Sequence, residues 1–150
     1  MNVAIVGSDG YIGEHLSALL MSEGNKVYTY NPLEGECLDP ETGTVVAGFE
    51  LPNDIDAAIY LAQSPYYRNT QGFAWHLMSV NALSALKVAE LAIKAGAKRF
   101  LYTSTGNVYA PSFAALSESA PVRRDNWYFL SKIHAEESLE LLRDSIDLTI

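Results

Sequence analysis

Short β-rich runs alternate with longer stretches of helical spacing along this chain. The runs are Asn2 to Val6, Lys26 to Tyr30, Ala57 to Leu61 and Arg99 to Thr103, and each reads as a β-strand. Ala57 to Leu61 is apolar throughout, as a parallel strand covered on both faces requires. Thr44 to Ala47 is expected as a further strand. The segment from Asn31 to Gly43, rich in Pro, Gly and acids, is expected as the loop before it. Pro52, Asn53 and Asp54 lie in the short link to Ala57, which leaves little room for a crossover helix. Tyr11 to Glu23 has the pattern of a helix, with Gly24 as its C-terminal cap. Strands and helices in this order predict βαβ units and an α/β fold, a Rossmann-type doubly wound parallel sheet.

Two longer helices are predicted at Phe73 to Ala95 and Trp127 to Asp144. Placed on a wheel at about 100° per residue, the first has one polar stripe: His76, Ser79, Ser84, Lys87, Glu90 and Lys94. Val80, Leu83 and Leu91 interrupt even that stripe. A helix apolar nearly all round needs a second packing surface besides its own sheet. The expectation is a homodimer through helices 73–95 and 127–144. The final residues, Asp147 to Ile150, read as the opening of a sixth strand. A domain boundary rarely falls inside a strand, so a truncated sheet is expected, the N-terminal part of a longer protein.

Composition narrows the partners. One hundred and fifty residues, 49% of them hydrophobic, suit one domain with a real core. Ten basic against eighteen acidic residues give a formal charge of −8. That disfavours a nucleic-acid backbone or an anionic membrane. It does not disfavour a phosphorylated small ligand, which backbone N–H groups can hold. Cys37 is the single cysteine, so neither a disulfide framework nor a zinc site is expected. No secretory signal and no apolar stretch of about 20 residues is present, and the default setting is cytoplasmic.

The candidate chemistry begins at Gly7-Ser8-Asp9-Gly10-Tyr11-Ile12-Gly13, between the first strand and first helix. That context is what a dinucleotide fingerprint requires. The spacing is G-x-x-G-x-x-G, one residue longer at its first gap than G-x-G-x-x-G. Gly7 suits a tight turn, Gly10 a close approach of backbone to a pyrophosphate, and Gly13 close helix packing. About 20 residues on, an acid usually holds the adenosine ribose, and here Asn31 takes that place. Asn31 leaves NAD against NADP open. Asp9, Glu34 and Glu36 nearby, with no Arg before Arg68, favour NAD.

Tyr128 and Lys132 stand four residues apart and share a helix face. A free phenol, with a pKa of about 10, is a poor base near neutrality, and a nearby ammonium favours its ionised form. Thr105 follows the strand Arg99 to Thr103, at the sheet edge where ligands of open α/β folds bind. Its hydroxyl could orient a substrate oxygen for proton exchange with Tyr128. Asn81 lies among Ala74, Val88 and Ala92 on the wheel, away from the polar stripe. A buried amide needs a partner, either in stiffening the core or in a proton relay.

Together these residues resemble the extended short-chain dehydrogenase/reductase family, in its NAD-dependent epimerase/dehydratase branch. The likeness covers essentially the whole chain. It rests on Gly7-x-x-Gly10-x-x-Gly13, Tyr60-Leu61-Ala62, Asn81, Lys98 through Tyr109, and Tyr128-Phe129-Leu130-Ser131-Lys132. The resemblance implies Tyr128 as general base or acid, with Thr105 orienting the substrate hydroxyl. Lys132 would hold the nicotinamide ribose and lower the pKa of Tyr128. Gly7, Gly10, Tyr11, Ile12, Gly13, Asn31, Leu61, Ala62, Gln63 and Asn81, with Tyr128 and Lys132, would form the cofactor side. A sugar nucleotide is the implied substrate, and dimers form through the two long helices.

Three departures qualify that pattern. Asn31 replaces the usual acid, and Tyr60 stands where many members have His. Thr105 is followed by Gly106-Asn107, where the sugar 4,6-dehydratases have Asp-Glu. Dehydration needs an acid for the leaving hydroxyl, so epimerisation or simple reduction fits better. The competing readings are a non-catalytic dinucleotide sensor of the same fold and a flavodoxin-like signalling domain. The glycine fingerprint and the lack of an acid cluster at the strand ends count against the latter.

Overall fold

Five of the six expected strands form one parallel sheet in the computed structural model, which describes residues 1–150. They are β1 (Asn2–Val6), β2 (Lys26–Tyr30), β3 (Ala57–Tyr60), β4 (Arg99–Tyr102) and β5 (Asp147–Thr149), in the order β2-β1-β3-β4-β5. Val6 pairs with Tyr60 and Tyr60 with Tyr102, so β1, β3 and β4 end level with one another. Gly7, Leu61 and Thr103 therefore leave the sheet side by side at its carboxyl edge. The core is built on Ala4, Val6, Ala58, Tyr60, Phe100 and Tyr102 from these strands.

Thr44 to Ala47 is not a strand of the sheet. Val45 makes a single antiparallel bridge with Leu38. The segment crosses instead onto a helix: the Ser84 hydroxyl donates to the Gly43 carbonyl at 2.8 Å, and Cys37, Leu38 and Leu51 enter the core. Chain length explains the difference. A parallel neighbour needs a crossover of about a dozen residues or more, and the connection to β3 is too short. Leu38 and Leu51 are buried there, and the partly buried Val45 packs against the core. This segment also corrects the polar stripe. His76, Ser79 and Ser84 are buried, while Lys87, Glu90 and Lys94 remain exposed.

The helix expected from Phe73 to Ala95 has three parts: α2 (Ala74–Met78), a π turn (Ser79–Leu83) and α3 (Ser84–Lys94). Two buried phenols serve that turn. Tyr60 donates to the Val80 carbonyl at 2.6 Å and Tyr102 to the Asn81 carbonyl at 2.8 Å. Single π turns inside α-helices often mark functional sites. The last helix, α4 (Trp127–Glu140), stops short of Asp144. Beyond it Leu142 and Arg143 make i→i−3 bonds to Leu139 and Glu140, which tighten the chain out of α-helical register. α1 spans Tyr11–Ser22. No helix is long and apolar enough to cross a membrane.

Candidate active site

The glycine turn closes on the ends of β2 and β3. Gly7 has φ +93 and donates its N–H to the Tyr30 carbonyl at 3.0 Å. A Cβ on Gly7 would stand 2.6 Å from the Ala62 nitrogen, and one on Gly13 would stand 2.2 Å from the Gly7 oxygen. Both positions are crowded by protein. Gly10 differs: the nearest atom to a Cβ there is the Gly7 oxygen at 3.6 Å, an ordinary contact. The protein's own packing does not require glycine at position 10, so the space in front of it is free for a ligand. Gly10 also begins α1 without a side-chain cap, and the first helical N–H groups lack intrahelical partners. Tyr11 and Ile12 flank that opening, 80% and 60% exposed.

At the end of β2, Asn31 is a cap as well as a candidate ligand. Its Oδ1 accepts from the Leu33 N–H at 2.9 Å, and its own N–H donates to the Glu36 carboxylate at 2.6 Å. Glu36 is thereby held at the strand end, where the usual acid is missing. At the end of β3, the Leu61 N–H donates to the Val6 carbonyl at 2.8 Å, and Leu61, Ala62 and Gln63 run past the glycine turn.

Asn81 lies behind this cleft. It is fully buried in the π turn. Its Oδ1 accepts from the Ser64 N–H at 3.0 Å, and its Nδ2 donates to the Ser131 Oγ at 2.9 Å. The Ser131 hydroxyl in turn donates to the Tyr128 carbonyl at 2.8 Å. The expected buried partner thus exists, and it ties the loop after β3 to α4. Both ends of the Asn81 side chain are thus paired within the protein. Ser64 and His76, missed in the sequence, complete the anchor. Ser64 Oγ and His76 Nδ1 are 2.9 Å apart, and His76 Nε2 is 3.2 Å from the Pro40 carbonyl.

Tyr128 and Lys132 share the buried face of α4, which Asn126 caps by accepting from the Phe129 N–H. The Tyr128 hydroxyl donates to Gln63 Oε1 at 3.0 Å. Burial raises its pKa, a hydrogen bond from Thr105 lowers it, and the neighbouring Tyr67 raises it. Thr105 also accepts from the Asn107 N–H at 3.2 Å, which shapes the turn after β4. Lys132 is 1% exposed. Its Nζ donates to the Thr103 carbonyl at 2.9 Å and lies 4.8 Å from the centre of the Tyr102 ring. Burial pulls its pKa down to about 8, against Glu136, which pushes it up. For the phenol, burial outweighs the lowering by Thr105.

Glu136 is another residue the sequence did not single out. It lies one turn after Lys132 and accepts a hydrogen bond from the Ser104 hydroxyl. An open cavity of about 830 Å³ lies beside it, lined by Ser104, Thr105, Tyr109, Glu118, Glu136 and Thr149 among others. Residues 3–150 match the model of the NAD dependent epimerase/dehydratase family. The chain belongs to that family.

Solved structures share its fold. An NAD-dependent NDP-hexosamine 5,6-dehydratase, TunA, of tunicamycin biosynthesis superposes with a TM-score of 0.82 at 21% identity, covering 100% of this chain and 54% of that one. A UDP-glucose 4-epimerase from Thermus thermophilus, solved with NAD, gives 0.75 at 21% identity over 99% and 52% of the two chains. DesIV, a dTDP-glucose 4,6-dehydratase from Streptomyces venezuelae solved with NAD, gives 0.78 at 18% identity over 99% and 54%. The chain spans about half the length of these proteins. No curated protein matches it in sequence. NAD is the cofactor from which the family takes its name.

Proposed function

We propose that this chain is the NAD-binding part of an oxidoreductase of the epimerase or reductase kind, acting at a secondary alcohol of a sugar, in particular a sugar nucleotide. The observation that carries the reading is convergence. The glycine turn, Gln63, Thr105 and Tyr128 come from four separate segments and meet at one edge of the sheet. When bound, NAD supplies a hydride acceptor and a positively charged ring. Gly7, Gly10 and Gly13, with Tyr11 and Ile12, seat the pyrophosphate. Asn31 and Glu36 face the adenosine ribose, and Leu61, Ala62 and Gln63 line the cleft. Lys132 holds the nicotinamide ribose. Thr105 orients the substrate hydroxyl, and Tyr128 takes its proton in oxidation and returns it in reduction. Burial holds the Tyr128 phenol up, and a positive charge bound beside it would favour its ionised form.

Gly106 and Asn107 follow Thr105 with no carboxylate between them, which supports epimerisation or reduction over 4,6-dehydration. The acids Asp9, Glu34 and Glu36 around the seat support NAD over NADP, since a 2′-phosphate would meet like charge. Pairing of two copies through α2, α3 and α4 belongs to the same reading, supported by the exposed Trp75, Leu83 and Trp127; sedimentation would measure it. The deciding experiment is Tyr128→Phe in the complete protein. Cofactor binding should persist while turnover falls by at least about a hundredfold, the scale of general acid–base catalysis. Unchanged turnover would remove Tyr128 from the chemistry and leave a binding module. Calorimetry should rank NAD(H) above NADP(H), and the reverse order would overturn that assignment.

A further inference from the structure

We infer that Gln63 is a positioning residue for Tyr128, its side-chain amide accepting from the phenol and, after a half turn, donating to the phenolate. The inference rests on Tyr128 as the proton-transfer group. Gln63 Oε1 already accepts from the Tyr128 hydroxyl at 3.0 Å. Gln63 is exposed, and that contact is the one hydrogen bond its amide makes within the protein. Rotating it therefore breaks no other bond. A primary amide carries both an acceptor oxygen and two N–H donors, so one side chain can serve both protonation states. A carboxylate at this position could accept from the phenol alone, and an aliphatic group could do neither. A hydrogen bond to an ionised group is roughly twice as strong as a neutral one. The amide thus tilts the balance towards the phenolate.

The backbone holds Gln63 in place for this. Its neighbours Ala62 and Ser64 are buried, and the Ser64 N–H is fixed on Asn81. Asn81 also holds Ser131, which bonds the Tyr128 carbonyl. One buried amide thus sets the loop of Gln63 against the helix turn of Tyr128. The Tyr67 ring, 5.8 Å from that of Tyr128, confines the phenol on another side. Gln63 searches only its own rotamers to meet the hydroxyl.

The test replaces Tyr128 by 3-fluorotyrosine, whose more acidic phenol titrates closer to neutrality, and follows its ionisation by ¹⁹F NMR. Gln63→Leu and Gln63→Glu are compared with the parent, with and without NAD. Gln63→Leu should weaken ionisation about 3- to 10-fold, raising the midpoint by roughly half to one pH unit. Gln63→Glu should raise it further, through like charge. A Gln63→Leu midpoint that is unchanged or lower overturns the inference, as does a Gln63→Glu midpoint that falls. Gln63 is exposed, so both variants should keep the parent circular dichroism. Calorimetry with NAD and the turnover of Tyr128→Phe separately read the proposed function, and neither depends on the ¹⁹F midpoint.

Discussion

Lys132→Met should make the protein more stable near neutrality, and the gain should vanish in alkali. The lysine is buried, and its pKa falls from 10.5 to about 8. At about 1.36 kcal/mol per pH unit, keeping it charged in the folded state at pH 7 costs about 3 kcal/mol relative to the unfolded chain. Methionine has similar length and no charge, but it leaves the Thr103 carbonyl without its donor, at a cost of about 1 kcal/mol. The expected net gain is about 2 kcal/mol, or about 5 °C in Tm for a chain of this size. The sign with pH follows from the direction of the shift. Between about pH 8 and 10.5 the unfolded lysine holds its proton and the folded one has lost it, so wild-type stability rises through that window relative to the variant. Urea unfolding at pH 7, 8, 9 and 10, followed by circular dichroism, measures the difference. A constant difference across that range, or a variant less stable at pH 7, would refute the reasoning.

Two further perturbations separate packing from ligand binding. Gly13→Ala should destabilise the fold by about 3 kcal/mol or more, since its Cβ would press on the Gly7 oxygen, whereas Gly10→Ala should leave Tm nearly unchanged and weaken NAD at least tenfold by calorimetry. Equal losses of stability in both would count against the distinction. Asn81→Leu strips partners from the Ser64 N–H and the Ser131 hydroxyl and should cost about 2–5 kcal/mol in urea unfolding. A loss below about 1 kcal/mol would show that the cleft walls are fixed by other contacts.

The parts of the fold legible in the sequence were those with short-range causes. Asn2 to Val6 and Ala57 to Tyr60 are apolar runs next to turn residues, and Gly7 and Gly13 stand where contact with backbone excludes a side chain. Thr44 to Ala47 carries the β-branched pattern of a strand, yet crossover length and helix packing decide its fate, and neither is local. The polar stripe of 73–95 groups His76, Ser79 and Ser84 with Lys87, Glu90 and Lys94, yet Pro40 and Gly43, distant in sequence, lie against the first three and help to bury them. The need for a partner at Asn81 was readable from its position, but Ser64 and Ser131 were not, being 17 and 50 residues away. The spacing of Tyr128 and Lys132 placed both on one face of α4, as found. It could not show that the ammonium turns to the Thr103 carbonyl, because that depends on where β4 ends.

The buried Asn81 also has a consequence for the order of assembly. Its oxygen can be satisfied once the segment after β3 has met the π turn, a closure over 17 residues. Its nitrogen must wait for α4, 50 residues further along the chain. Until α4 docks, folding leaves a polar donor stranded in an apolar environment, which disfavours a half-built cleft. The cleft thus forms in step with the long-range contacts of the whole sheet. Synthesis halted before α4 would yield the glycine turn but not the wall that Tyr128 provides.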